Sequence, residues 1–324
     1  SPGKSSHKVQ RISPNMEQRK LSIGFITYGN TTARYLPYFL PSLISAAGND
    51  ARIMAIDNTD EENNANRDYI GKNYPQIDYR WAGKNLGFAK ACNAMIQEAV
   101  RSGAKYFFMI NPDTILEPDA LQMLVNVLED DENLAAASPK VLRWDFVNRL
   151  KTGFIDTLGI GLRLGLRFVD EGQAKIDKNL KAMPVIIGPS GAAGLYRLRA
   201  LEKVKENGQY FDERMFMYKE DCDLAYRLSL AGLKAKIAPN AVIYHDRSAA
   251  GQGESGIKIA LNRRNKNRQA KIWSFRHQQI IYRKYWHLQD GLNKLVIVCY
   301  EIIMIIFALI FERYLLKEFK FWKY

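Results

Sequence analysis

The sequence is poor in cysteine, and it lacks internal repeats and low-complexity tracts. Its three cysteines, Cys92, Cys222 and Cys299, are widely spaced and odd in number. They therefore form neither the close pair of a zinc site nor the even set of a disulfide framework. The opening stretch SPGKSSHKVQRISPN has no apolar run of the kind that a secretory signal peptide needs. Together these absences predict a reducing, cytoplasmic setting.

The net charge of +13 is confined to the two ends of the chain. Residues 1–20 carry five Lys and Arg against one acid, and residues 251–324 carry fourteen against five, so residues 21–250 are neutral. A nucleic-acid-binding domain usually carries its positive charge on its folded face, and the neutral centre argues against such a partner. Basic ends around a neutral body favour contact with an anionic membrane surface, which predicts a peripheral protein on the inner face of the cell membrane.

The sequence predicts three segments. Residues 1–19 are expected to be disordered or derived from an expression tag, with Met16 as a candidate natural start. Residues 20–250 are expected to form one domain, because 324 residues suit one large domain or one domain with an appendage. The composition, 47% apolar and 25% charged, predicts a folded core. Residues 251–324 are expected to form a basic, aromatic-rich helical extension.

That extension contains one long apolar run, LVIVCYEIIMIIFALIF, at residues 295–311. Its single charge, Glu301, would cost roughly 2.5–3.5 kcal/mol at the centre of a bilayer. This cost favours a helix lying in the membrane interface over a full span. The alternative is a helix buried in the core or in a homodimer interface.

From residue 21 onward, short apolar runs alternate with helical patterns. The predicted strands are residues 21–28, 51–57, 77–82 and 105–110. The predicted helices are residues 35–47, 64–74, 87–103 and 118–129. This alternation predicts an α/β fold with a Rossmann-like, mostly parallel sheet flanked by helices.

The later part of this domain is less regular. Residues 142–185 are expected to form hairpins or a flexible loop, and residues 188–197 a small-residue turn that enters a helix. A helix that closes at Gly232 and a strand pair at residues 235–237 and 242–244 complete the expected elements.

Polar side chains follow three of the predicted strands. They are Thr27 and Tyr28 at the end of the first strand, Asp57 and Asn58 at the second, and Asn111 and Asp113, on either side of Pro112, after the fourth. Because ligands of parallel sheets bind outside the carboxyl ends of the strands, these three ends predict one binding crevice.

The order of motifs resembles a known family. The stretches are NLGFAKACN (85–93), NPDT (111–114), GPSGAAGLYR (188–197), FDERMFMYKEDCDLAYRLSLAG (211–232) and YHD (244–246). This series is similar to the second family of inverting glycosyltransferases, which has the GT-A fold, and most of all to its bacterial rhamnosyltransferase-type members that build cell-surface polysaccharide. The resemblance covers residues 21–250 and implies a nucleotide-diphosphate sugar donor with Mg²⁺ or Mn²⁺.

The resemblance also implies roles for individual residues. Asp113, Asn111 and His245 would hold the cation, with Asn111 in place of the first acid of the family's usual Asp-x-Asp motif. This departure leaves strict metal dependence open. Asp221 would take the proton of the acceptor hydroxyl, and Glu220 would bind acceptor or donor, although these two roles can be exchanged.

The implied donor-binding residues form two sets. The nucleotide set is Thr27, Tyr28, Asp57, Asn58, Asn85, Gly87 and Phe88, in which Asp57 would accept a hydrogen bond from the pyrimidine. The donor-sugar and acceptor set is Ser190, Gly191 and Ala192. Each has a plain structural alternative: a strand-end turn for Asp57, tight packing for residues 190–192, a structural histidine for His245, and acids favoured by the helix dipole for Glu220 and Asp221.

The leading hypothesis is transfer of L-rhamnose from dTDP-rhamnose to a lipid-linked or growing cell-surface glycan, with polyprenyl diphosphate as the acceptor's carrier. Transfer from a UDP-sugar such as UDP-GlcNAc, UDP-galactose or UDP-galactofuranose is the alternative within the same fold. A nucleotidyltransferase would need a glycine-rich, basic loop after the first strand. This chain reads TYGNTTARYLP there, without such a loop, which argues against a nucleotidyltransferase. A non-catalytic, membrane-docked partner protein is the remaining alternative.

Overall fold

The structure is a computed structural model that describes residues 20–179, 182–246 and 267–323. The expectations for residues 1–19, including Met16 as a start, and the expected boundary between residues 250 and 251 lie outside these described residues.

The strands and helices are numbered in chain order. Strands β1 to β11 are Leu21–Thr27, Ala51–Asp57, Asp78–Trp81, Tyr106–Ile110, Thr114–Leu116, Leu134–Asp145, Leu150–Thr157, Ile160–Arg163, Arg167–Asp170, Ala193–Arg197 and Lys234–His245. Helices α1 to α9 are Gly29–Ala33, Leu36–Ala47, Ala65–Asn73, Gly87–Arg101, Ala120–Asp130, Leu198–Lys203, Glu220–Leu230, Arg268–Tyr285 and Gly291–Ile310. Short 3-10 helices cover Asp177–Asn179, Trp286–Leu288 and Arg313–Lys323.

In the described residues the main sheet has nine strands, in the order β3-β2-β1-β4-β10-β6-β11-β5, with β7 paired to β6. Strands β1 to β4 are parallel, and β6 is parallel to β11. Strand β10 is antiparallel to both of its neighbours, β4 and β6. The mostly parallel, helix-flanked sheet confirms the predicted α/β fold of the GT-A type.

Two expectations for the later elements are wrong. Residues 193–197 form the central strand β10, rather than the end of a turn that enters a helix, and helix α6 begins only at Leu198. The expected strand pair at 235–237 and 242–244 is one strand, β11, with a bulge between Ala238 and Val242. The small residues around the start of β10 and the bulge in β11 hide the alternating strand pattern in the sequence. Both segments are stabilised as strands by hydrogen bonds to strands that are distant in the chain.

Strand β4 divides the core into two layers. Its residues Tyr106, Phe108 and Ile110 pack with helices α2 and α5, while Phe107 and Met109 pack with helices α4 and α6. All five side chains are buried. Burying each large apolar side chain stabilises the fold by roughly 1.5–3 kcal/mol, so β4 is a firm base for the residues that follow it.

The two C-terminal helices pack against helix α7. Tyr282 and Tyr285 of α8 and Ile297 of α9 join a buried cluster with Ala225 and Tyr226 of α7. The C-terminal extension therefore supports helix α7, whose first turn carries Glu220 and Asp221.

Candidate active site

Asp113 and His245 meet at one edge of the sheet. Strand β11 brings His245 beside Thr114 of β5, and the Asp246 amide donates a hydrogen bond to the Asp113 carbonyl at 2.9 Å. The Nε2 atom of His245 lies 3.3 Å from Oδ1 of Asp113. The Nδ1 atom of His245 lies 2.8 Å from Oδ2 of Asp156, a buried residue of β7 that sequence reasoning missed.

These two carboxylates control the charge of His245. Burial lowers the pKa of the imidazole, but Asp113 and Asp156 outweigh burial and raise this pKa to about 10. In the absence of a metal, His245 is therefore a cation at neutral pH and lies between two acids.

The residues present fit a divalent cation with few protein ligands. Oδ1 of Asp113 is buried, and its 3.3 Å contact with Nε2 of His245 lacks good hydrogen-bond geometry, although the side chain as a whole is 30% exposed. In the ranges 20–179, 182–246 and 267–323, no three His, Cys, Asp or Glu side chains form a metal-binding group. An oxygen of Asp113 and a nitrogen of His245 suit a cation that takes its other ligands from phosphates and water.

A short stretch of backbone connects this pair to Asp221. The Ala192 carbonyl accepts a hydrogen bond from the Asn111 amide at 2.9 Å, just beyond β4. One residue earlier, the Gly191 amide donates to Oδ2 of Asp221 at 2.8 Å. A Cβ atom at Gly191 would lie only 3.3 Å from this carboxylate oxygen, so the glycine allows the close approach.

Burial shapes the acidic pair at the start of α7. Burial raises the pKa of Glu220, and the charge of Asp221 raises it further. Burial also raises the pKa of Asp221, while the Gly191 and Cys222 amides oppose this shift by donating hydrogen bonds to its two oxygens. A carboxylate with a raised pKa is a better proton acceptor than an ordinary surface acid.

Two polar atoms, one in the acidic pair and one in the stretch 190–192, are buried and lack hydrogen bonds. They are Oε2 of Glu220 and Oγ of Ser190. Buried polar atoms nearly always have partners, and unsatisfied ones call for an explanation. A polar ligand between these residues would provide the missing hydrogen bonds.

The backbone just before α7 is strained. Tyr218 and Lys219 have φ angles of 73° and 74°, in a region that residues other than glycine rarely adopt. Nδ1 of His277 in α8 lies 2.8 Å from the Tyr218 carbonyl oxygen. This strained turn orients Glu220 and Asp221, and the contact from α8 helps to hold it.

The loop at residues 85–88 contacts the segment before α7. The Phe88 amide donates to the Phe216 carbonyl at 2.7 Å. Gly87 has φ of 76°, and a Cβ atom there would lie 2.5 Å from Phe216. Only glycine fits this position without displacing Phe216.

Asn58 joins the ends of β1 and β2 to this loop. The backbone amide of Asn58 donates to the Thr27 carbonyl at 2.8 Å, and its side-chain Nδ2 donates to the Gly87 carbonyl at 3.1 Å. The Asn85 side chain accepts a hydrogen bond from the Gly87 amide at 2.9 Å. The expected nucleotide-binding residues at these strand ends therefore lie together, and the exposed Tyr28 ring is available for stacking.

Among the expected nucleotide-binding residues, Asp57 stands apart because both oxygens of its carboxylate already accept hydrogen bonds from the protein. Oδ1 accepts from the hydroxyls of Thr27 at 2.9 Å and Thr59 at 2.6 Å. Oδ2 accepts from Nδ2 of Asn64 at 2.7 Å and from the Tyr79 hydroxyl at 2.5 Å. A nucleobase would have to displace one of these donors to reach Asp57, and the sequence carried no signal for these distant partners.

Solved structures with a similar fold share little sequence with this chain. TarS from S. aureus aligns with a TM-score of 0.50 and 15% identity over 71% of this chain and 37% of its own. PcManGT is a mannosyltransferase from Pyrobaculum calidifontis, solved in complex with GDP-Man and Mn²⁺. It aligns with a TM-score of 0.51 and 16% identity over 84% of this chain and 65% of its own. GalNAc-T7 with UDP, GalNAc and Mn²⁺ aligns with a TM-score of 0.50 and 12% identity over 70% of this chain and 43% of its own. At these identities the likeness shows the fold alone.

Among curated proteins no significant relative was found. A sequence family described as glycosyl transferase family 2 matches residues 22–205, more than half of the chain, and includes β4, Asp113 and the stretch 190–192. The chain therefore belongs to glycosyl transferase family 2.

Proposed function

We propose that the protein transfers a sugar, with inversion at the anomeric carbon, from a nucleotide-diphosphate donor to a glycan acceptor. The single observation that carries this proposal is the connection through residues 190–192. The Ala192 carbonyl accepts a hydrogen bond from the amide of Asn111, two residues before Asp113, and the Gly191 amide donates one to Asp221. A candidate cation ligand and a candidate base are thus held by neighbouring residues of one stretch.

Asp221 is the proposed base. The acceptor hydroxyl oxygen forms a bond to the anomeric carbon, the bond from that carbon to the diphosphate oxygen breaks, and the hydroxyl proton passes to Asp221. Glu220 and Ser190 offer unsatisfied polar atoms that would orient the sugar hydroxyls. The nucleoside diphosphate leaves with the bonding electrons.

Asp113 and His245 are the proposed ligands of Mg²⁺ or Mn²⁺, and Asn111 is a candidate third. A bound divalent cation would neutralise the negative charge of the diphosphate. For this role His245 must lose its proton, since only a neutral imidazole nitrogen ligates a metal. The Mn²⁺ in the structures of PcManGT and GalNAc-T7 supports this assignment by analogy.

The proposed donor is dTDP-rhamnose, on the basis of the motif resemblance. The proposed acceptor is a lipid-linked or growing cell-surface glycan, such as one on polyprenyl diphosphate, because the C-terminal segment is strongly basic. UDP-sugars are the alternative donors, and a handful of contacts around the sugar would decide between them.

A donor screen by thermal shift tests the proposal. The ligands are dTDP, UDP, GDP, dTDP-rhamnose, UDP-GlcNAc and UDP-galactose, each with Mn²⁺ and again with EDTA. A ligand at a hundredfold its dissociation constant should stabilise the native state by about 2.7 kcal/mol. We expect a metal-dependent shift with the dTDP compounds that disappears in Asp113→Asn.

Asp119→Asn is the matched control, because it removes the same charge from an exposed residue six positions further along the chain. It should respond to donors as the wild type does. A shift with UDP compounds alone would keep the enzyme class and overturn rhamnose as the sugar. The absence of any nucleotide effect in folded protein would favour the non-catalytic partner protein.

A further inference from the structure

Helix α9 presents an apolar surface that nothing covers in the described parts of the chain. It is the one helix in those parts with the length and composition to cross a membrane, and only 17% of its most apolar window is buried. Its exposed side chains recur every three or four residues along the helix. They are Leu292, Leu295, Val298, Ile302, Ile306 and Leu309, with Ile303, Ile310 and Phe311 beside them.

The opposite face of α9 is bound to the rest of the protein. Its buried residues Ile297, Glu301 and Ala308 form the inner stripe. Nε2 of Gln279 in α8 donates to both carboxylate oxygens of Glu301 at 2.8 Å. The only charge of the apolar run therefore points inward, and the exposed stripe carries no charge.

The two acids that follow α9 are turned away from solvent. Glu312 and Glu318 are buried, at 3.0 Å from Nζ of Lys271 and 2.7 Å from Nε of Arg276 respectively. By contrast, Arg313 and Lys317 are exposed immediately after α9. The outer surface at the C-terminal end of α9 is therefore apolar with a positive rim, while the N-terminal end carries the exposed capping residue Asp290.

The β8–β9 hairpin extends the same surface. The Gly165 amide in its turn donates to Oδ1 of Asn293 at 2.8 Å, which places the turn against the start of α9. Leu164 of this turn is exposed, and Arg167 lies over the Tyr300 ring at 4.7 Å. The turn thus adds one more apolar side chain and one more cation next to the helix.

We propose that α9 and the β8–β9 turn form a docking surface for an anionic lipid bilayer. In this arrangement α9 lies in the plane of the interface, with its exposed stripe among the acyl chains. Arg167, Arg313 and Lys317 lie at the level of the lipid headgroups. Because Glu301 is held by Gln279, α9 stays packed on α8 and does not cross the bilayer.

A lipid surface fits this face better than a second copy of the chain. A two-fold symmetric dimer with parallel α9 helices would bring together two identical positive rims, in which Glu312 and Glu318 are buried in ion pairs. An anionic bilayer provides an apolar phase for the stripe and opposite charge for the rim. Aromatic and basic residues flanking an apolar helix are typical of such interfacial helices.

Vesicle sedimentation of the full chain tests the proposal without any sugar donor, so its outcome is independent of the proposed transferase activity. The vesicles contain phosphatidylcholine with or without phosphatidylglycerol. Wild-type protein should bind the anionic vesicles most tightly. Ile303→Glu with Ile306→Glu should weaken binding at least ~10-fold, since each adds a charge to the apolar phase. Arg313→Glu with Lys317→Glu should remove the preference for phosphatidylglycerol.

The matched control is Val147→Glu with Val185→Glu, which introduces the same charges at exposed apolar residues elsewhere. It should bind as the wild type does, and circular dichroism should show that all variants are folded. Vesicle binding by the α9 variant equal to that of the wild type would overturn the proposal. So would a lipid-free dimer, measured by ultracentrifugation, that the α9 substitutions dissociate and that does not bind vesicles.

Discussion

Nδ1 of His277 lies 2.8 Å from the carbonyl oxygen of Tyr218, and this contact connects helix α8 to the strained turn before Glu220. Burial lowers the pKa of His277, so the imidazole is neutral and its Nδ1–H donates to the carbonyl. The extension beyond residue 250 thus reaches the backbone that orients the acidic pair.

Replacing His277 should reduce catalysis more than donor binding. His277→Ala removes the donor to Tyr218, which should allow the turn to relax and move Glu220 and Asp221. Misplacement by about 1 Å can cost as much as 100-fold in rate, so we expect kcat to fall by ~10–100-fold with little change in the donor KM. Steady-state kinetics provide the measurement.

His277→Asn should recover part of the lost rate, because its amide can also donate to the carbonyl. His287→Ala is the matched control, since His287 is an exposed histidine just beyond α8. An unchanged kcat in folded His277→Ala would show that α8 does not hold the turn.

Asp57 should contribute to stability, because its two oxygens accept hydrogen bonds from four side chains. In Asp57→Asn the amide group would face donors such as Tyr79 or Asn64 and leave them unpaired. Unsatisfied buried donors cost about 1–3 kcal/mol each, so the free energy of unfolding in denaturant should fall by at least ~1 kcal/mol.

The comparison for Asp57 is Asp60→Asn, which changes an exposed residue of the following loop. It should unfold as the wild type does. Weaker donor binding by Asp57→Asn at unchanged stability would instead indicate direct contact between Asp57 and the nucleobase.

The sequence predicted the first half of the fold well, because local patterns determine it. Strand β4 has five consecutive buried residues, and α4 has a clear helical period, so both were predictable to within two residues. Strand β10 was missed because it begins within a run of small residues and obtains its stability from pairing with β4 and β6.

Within the site, the polar strand ends and the acidic pair were visible as motifs, and the structure brings Asp113 and His245 together. Asp156 and His277 carried no signal, because each acts on a residue at least 59 positions away. The partners of Asp57 were equally hidden. Contacts between distant residues set the charge of His245 and the orientation of Asp221, and no local pattern encodes them.

The pKa of His245 predicts a pH dependence of stability in metal-free protein. This pKa is about 10 in the folded state, against a usual value of 6.5. A raised pKa contributes stability that is complete below pH 6.5 and is lost as the pH rises towards 10. In EDTA, the free energy of unfolding should therefore fall between these two pH values.

His245→Gln should be less stable than the wild type at pH 6.5, and the difference should shrink towards pH 10. Denaturant titrations of both proteins across this range measure the effect. A difference that stays constant with pH would mean that His245 is neutral between Asp113 and Asp156.

Asp221 and Glu220 should differ in kinetics if Asp221 is the base. Asp221→Asn keeps the shape of the side chain but cannot take a proton, so kcat should fall by at least ~100-fold, within the range expected for general bases. Donor affinity from the thermal shift should change little. Glu220→Gln keeps a hydrogen-bonding group and should mainly raise the acceptor KM.

The pH profile separates the two assignments. A base must be deprotonated, and burial raises the pKa of Asp221, so kcat/KM of the wild type should rise with pH through a value above the usual range for an aspartate. Glu220→Gln should keep this rising limb. If Glu220→Gln abolishes the limb and Asp221→Asn preserves it, the roles are exchanged, and Gly191 then holds Asp221 as a structural acid.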